Sequence, residues 1–160
     1  MTSDRSSETP AGEAAQGAIG FEWTFKHPES GSSIVIVDDN WVAYAYFYSP
    51  DNEIVGDVWL YNRGETPEEP EWHDKEQAPF ANPSAYVLDI PDLRIPEDES
   101  DVSVRWSTDS DGRLMANVFF GDLLLARLCA GSQPGWSLAA KKDGPCAKKL
   151  VLSPLPARSA

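Results

Sequence analysis

The stretch at residues 41–62, WVAYAYFYSPDNEIVGDVWLYN, decides how this chain is read. Ser49-Pro50-Asp51-Asn52 holds the residue types that turn a backbone. The segments on either side are rich in aromatic and β-branched residues, which suit strands. A four-residue loop of this chemistry joins two antiparallel strands into a hairpin. It sets Tyr48 opposite Glu53, Phe47 opposite Ile54, Ala45 opposite Gly56, Ala43 opposite Val58 and Trp41 opposite Leu60. One face is then apolar with a small-residue centre at Ala43, Ala45 and Gly56, a place where another layer can approach closely. The other face carries Val42, Tyr44, Tyr46 and Tyr48 beside Glu53, Val55, Asp57 and Trp59. A one-residue slip would exchange the two faces.

The same two-residue period recurs on both sides of the hairpin. Phe21, Trp23 and Phe25 alternate with Glu22, Thr24 and Lys26, and residues 33–37 form a β-branched run closed by Asp38-Asp39-Asn40. Val102, Val104 and Trp106 alternate with Ser103, Arg105 and Ser107. Gly121-Asp122, with glycine first, suits a two-residue type II′ hairpin between residues 114–120 and 123–129. Asp143-Gly144-Pro145 predicts a further hairpin between residues 136–140 and 147–152, and residues 85–90 read as a short strand. About eight to ten short strands at this spacing, with no long 3.6-residue pattern, predict an all-β single domain. The architecture expected is an antiparallel sandwich or open barrel built from hairpins, with long acidic loops. The domain is expected over residues 19–153, behind a disordered leader at 1–18 and before a flexible tail at 154–160.

The chain has 160 residues, 41% of them hydrophobic, enough for a core without disulfide staples. No apolar run approaches the roughly 20 residues of a membrane-spanning helix. Thirteen basic and 26 acidic residues give a formal charge of −13, which argues against gripping nucleic-acid phosphates or an anionic membrane. The charge is unevenly placed. Residues 51–101 hold 15 acidic and three basic residues, whereas residues 123–160 hold six basic residues and only Asp143. Met1 to Gly17 lacks the basic start and apolar core of an export signal, so the chain is expected in the cytoplasm. Cys129 and Cys146 form one bridge at most and read as reduced thiols there.

The motifs that would carry chemistry fail one after another. His73 with Asp74 offers a supported base but no nucleophile signature accompanies it. Asp109-Ser110-Asp111-Gly112 opens like a calcium loop, yet Arg113 and Phe120 stand at its fifth and twelfth positions. Two cysteines and two histidines lack the paired spacing of a zinc site. The chain is therefore expected to be no enzyme and to need no cofactor or metal.

Val37-Asp38-Asp39, Tyr46-Phe47-Tyr48 and Leu60-Tyr61-Asn62 form one half of a pattern. Arg105-Trp106-Ser107, residues 114–128 and Gly135-Trp136-Ser137 form the other. Over residues 33–140 the chain resembles a small bacterial family known as domain of unknown function 2251. The resemblance implies a bacterial protein. It implies no activity and assigns no functional residues.

The acids and aromatic rows carry the functional expectation. A bacterial cytosolic protein-binding module is expected, with a basic protein as its partner, and an immunity-type inhibitor of a basic toxin is one form of it. Tyr44, Tyr46, Asp57, Trp59, Glu68, Glu69, Glu71, Trp72 and Phe80 are the candidate contact residues. Carboxylates would speed association and desolvated aromatics would supply affinity. The alternative is a small-molecule-binding β-barrel with Trp23, Trp41 and Trp106 lining its cavity.

Overall fold

The computed structural model describes residues 20–70, 72 and 78–151. The expected leader and tail, and the candidates Glu71, His73 and Asp74, lie outside the described residues.

The described chain is all-β, and no helix in it is long and apolar enough to cross a membrane. Strands β1 (Phe21–Lys26), β2 (Ser33–Asp38), β3 (Val42–Tyr48) and β4 (Ile54–Asn62) form one antiparallel sheet in chain order. Strands β5 (Val102–Thr108), β6 (Leu114–Phe120), β7 (Leu123–Cys129), β8 (Trp136–Ser137) and β9 (Lys148–Lys149) form the second. The sheets pack as a sandwich and do not close into a barrel.

Alternation decides which faces meet. Across the first sheet, Trp23, Ile36, Ala45 and Val58 form one cross-strand row and Phe25, Ile34, Phe47 and Gly56 the next. From the second sheet come Val102, Ala116, Val118, Phe120, Leu125 and Leu128, all buried. The layers interlock where Trp106 meets Phe47 edge-on at 6.1 Å and Phe120 meets Tyr61 at 6.0 Å. The close approach expected at Gly56 is present. A Cβ there would stand 2.8 Å from the Cys129 carbonyl oxygen and 3.1 Å from that of Ser132.

The central hairpin departs from the expected register. The loop is three residues long, because the Ser49 amide bonds the Glu53 carbonyl and Asn52 takes the left-handed conformation at φ 66°. Tyr48 thus pairs with Ile54 rather than Glu53. An extra residue, Val55, moves Phe47 opposite Gly56 and Tyr46 opposite Asp57. A second, Leu60, moves Ala43 opposite Tyr61. Each bulge shifts the pairing by one residue. The shifts at the turn and at Val55 add to two residues, which preserves the alternation, so Phe47, Ala45, Gly56 and Val58 share a face as expected. The bulge at Leu60 then brings Tyr61 to the inner face. Trp41 does not face Leu60; it lies before β3, and its carbonyl accepts from the Arg63 and Gly64 amides.

Two other expectations are overturned. The hairpin predicted around Asp143-Gly144-Pro145 is absent: β8 and β9 pair in parallel, Trp136 with Lys148 and Ser137 with Lys149. The chain leaves β8 to pair elsewhere, Ala140 bridging Val87 and the Ala139 carbonyl accepting from the Leu88 amide, before returning beside β8. The strand predicted at residues 85–90 is instead a 3-10 turn at Ser84–Tyr86 followed by that single bridge. The Gly121-Asp122 turn is as read, with Gly121 at φ 62° closing the Phe120–Leu123 pair.

Candidate functional site

The structure divides the expected contact residues into a buried set and an exposed set. Trp59 has no exposed surface and Tyr44 only 8%. The Tyr44 hydroxyl donates to the Phe80 carbonyl at 2.8 Å, and the Trp59 indole donates to Asn62 Oδ1 at 2.8 Å. Asn62 in turn donates to the Asn82 carbonyl and accepts from the Asn82 amide. These bonds fasten the described part of the segment after β4 over the outer face of the first sheet. Phe80 and Trp72 pack inward against the core, Trp72 meeting Tyr86 edge-on at 5.3 Å. Tyr44 and Trp59 are therefore buried packing residues, whereas Trp72 and Phe80 are half-buried. As accessible anchors Tyr44 and Trp59 are corrected, because the described part of the segment after β4 covers the sheet face they were expected to present. Glu68 and Glu69 are exposed.

Tyr46 and Asp57 stand apart from that set. They are direct cross-strand partners on the outer face, both half-buried, and Tyr46 stacks on Tyr44 with centroids 6.0 Å apart. The Asp57 backbone is held on both sides, its amide donating to Ser132 and its carbonyl accepting from Gly135. Its carboxyl forms no ion pair among the described residues. Burial raises the Asp57 carboxyl above the ordinary range. Burial also raises the Tyr46 phenol, and the nearby Asp57 and Asp39 charges add to that. The strand pair thus fixes a carboxylate that lacks a counter-charge among the described residues beside an aromatic ring, an environment suited to a cation.

A second acidic feature was not found from the sequence. Asp92, Glu97, Asp101 and Asp122 line an open cavity of about 660 Å³ together with Arg94, over apolar side chains that include Ile95, Phe120 and Leu123. Pairing of Val102 with Phe120, and of the Gly121 amide with the Asp101 carbonyl, brings the two acidic segments together. The signal was the β5–β6 register, which places the residue before β5 beside the β6–β7 turn.

A smaller cavity, about 400 Å³, lies between β4 and the segment around residue 90 and is lined in part by Trp59, Tyr61, Leu88, Ile90 and Leu93. The tryptophans expected around a barrel cavity are dispersed. Trp23 stacks on Phe21, Trp106 packs between Phe47 and His27, and Trp41 abuts Gly64. The His27 ring is bonded to Ser30 and paired with Glu29. The Asp109 carboxylate is taken up by the Arg113 and Asp111 amides and the Arg113 guanidinium, which hold its carboxyl below the usual carboxylate range and make it a turn anchor. Cys129 and Cys146 are both buried, and no disulfide joins them. No group of three or more His, Cys, Asp or Glu among the described residues could hold a metal ion. Compared with protein-family models, curated proteins and solved structures, the chain matches none.

Proposed function

We propose that this chain is a bacterial cytosolic protein-binding module that acts by docking a basic protein rather than by catalysis. An immunity-type inhibitor of a basic toxin is the concrete form. The bacterial setting rests on the sequence resemblance described above. One observation carries the docking reading: Asp57 is rigidly held, half-buried and without a cation among the described residues, beside Tyr46. An incoming lysine or arginine would restore the interaction that burial costs this carboxylate, and the tyrosine ring would cover its aliphatic stem. The rim of Asp92, Glu97, Asp101 and Asp122 adds long-range attraction.

The test is capture from the native cell at low and high salt, followed by titration of the captured protein against wild type, Asp57→Asn and Tyr46→Ala. A basic protein retained at low salt, and bound about tenfold or more weakly by Asp57→Asn, is expected for a charge-assisted contact. If no basic protein is retained even at low salt, where screening is weakest, the docking reading fails. The second reading, a small-molecule binder, rests on the 400 Å³ cavity. It requires saturable quenching of tryptophan fluorescence by an apolar ligand, with loss of that response on filling the cavity by Ala139→Leu.

A further inference from the structure

The outer face of the second sheet has the opposite character from the rest of the molecule. The register places Arg105, Asn117, Arg127, Trp136 and Lys148 in one row across all five strands. The Arg105 guanidinium lies over the Phe119 ring at 4.1 Å, and the Lys148 ammonium lies 5.0 Å from the centroid of the Trp136 ring. Asn117 joins the row from within. Its amide donates to the Arg105 carbonyl at 2.8 Å, and its oxygen accepts from Arg127 Nε at 2.7 Å. The row cations take part in none of the ion pairs among the described residues. Phe119 and Trp136 are half-buried and are not among the hydrophobic residues packed against the core.

We infer that this row is a second docking surface, and that its occupant is an extended acidic polypeptide segment. Three features select that occupant. The first is charge: three cations share one face of a −13 chain, with no carboxylate paired to them among the described residues. At physiological ionic strength the Debye length is about 8 Å, so a local patch is felt by a ligand in contact with it despite the net charge. The second is preorganisation. Asn117 occupies Nε of Arg127, which leaves the terminal amines to meet a carboxylate, and Phe119 steadies the Arg105 guanidinium. The third is spacing. Successive cations in the row lie two strands apart, about 10 Å, close to one turn of a polyproline-II segment, about 3.1 Å per residue over three residues, which brings every third side chain to the same face. A single-stranded nucleic acid fits less well. It binds such surfaces by stacking bases on exposed rings, and here this chain's own cations lie over both rings.

Calorimetric titration tests this with the full chain. The probes are a Gly/Ser peptide with aspartate at every third position, a peptide of the same composition with its aspartates contiguous, and an oligo-deoxythymidine. Saturable binding of the spaced peptide is expected, weakened about tenfold or more by the Arg105→Ala/Arg127→Ala double variant. Arg127→Lys keeps the charge but loses the fork and is also expected to bind more weakly. Circular dichroism identical to wild type shows that the variants keep the fold. Absence of saturable binding overturns the inference. So does a contiguous peptide or oligonucleotide that binds as tightly as the spaced peptide, or a double variant that binds like wild type. The docking reading at Asp57 is untouched by any of these outcomes, because it lies on the other sheet.

Discussion

Replacing Asp38 by alanine is expected to cost about 3–5 kcal/mol of folding stability, the range for removing one partner of a buried ion pair. Asp38 has no exposed surface. Its carboxylate accepts from Arg63 Nη1 at 2.5 Å, the Tyr61 hydroxyl at 2.8 Å and the Asn40 amide at 2.8 Å. The Asp38, Ala43 and Tyr61 row crosses three strands, so the carboxylate links β2 to the far end of β4. In the alanine variant a half-buried guanidinium loses its counter-ion and the buried Tyr61 hydroxyl loses its acceptor. Both losses carry desolvation costs, which is why the expected effect exceeds that of one hydrogen bond. Tyr61→Phe removes the hydroxyl as well as its need for a partner and is expected to cost about 1 kcal/mol. Chemical denaturation of both variants checks this. An Asp38→Ala loss below about 1 kcal/mol would mean that the network is not the tie described.

Trp59→Ala is expected to cost a similar amount, about 3–5 kcal/mol, from lost burial and the cavity left behind. The indole lies between the first sheet and the segment that covers it. Its Nε1 donates to Asn62, and Asn62 holds Asn82 through two bonds. The backbone amide of Trp59 also donates to the Cys146 carbonyl at 3.0 Å, which ties β4 to the second sheet and is kept in the variant. The loss should therefore fall on the cover more than on the sandwich. Limited proteolysis should cut residues 63–83 faster in the variant, while circular dichroism still reports β structure. Unchanged proteolysis with a loss below about 1 kcal/mol would place Trp59 outside the core.

The sandwich was legible because its strands alternate and its turns carry distinctive residues. Phe21-Glu22-Trp23-Thr24-Phe25-Lys26 reads as a strand at sight, and the positive φ of Gly121 is what a type II′ turn requires. The bulges at Val55 and Leu60 were not legible, since an inserted residue in a strand of β-formers leaves no compositional mark. Nor was the parallel pairing of β8 with β9. Two-residue strands show no period, and Asp143-Gly144-Pro145 has hairpin chemistry whatever its neighbours do.

The site was half legible. Tyr46 and Asp57 lie on the accessible part of the expected face, but Tyr44 and Trp59 were misjudged for one reason. Prolines and acids between residues 63 and 84 read as solvated loop, whereas Ala81, Asn82 and Pro83 are buried through hydrogen bonds that span 20 or more residues. Only the fold brings those partners together. The carboxylate rim at Asp101 and Asp122 was missed because its members belong to separate segments joined by the β5–β6 ladder.

Asp57→Asn tests the docking claim most directly, through stability measured against pH. Because burial raises the Asp57 carboxyl above its unfolded value near 3.9, the folded state holds that proton more tightly than the unfolded chain. Stability therefore falls as pH rises from the unfolded value through the raised one, and the penalty persists at neutral pH. Asparagine carries no such charge. The variant is expected to be at least as stable as wild type at pH 7, with its advantage vanishing below about pH 3.9, and to bind the basic partner more weakly. Such a residue lowers stability in order to present a charge. A variant that loses stability at pH 7 while binding the partner undiminished would show Asp57 to be a structural group and would contradict the proposed function.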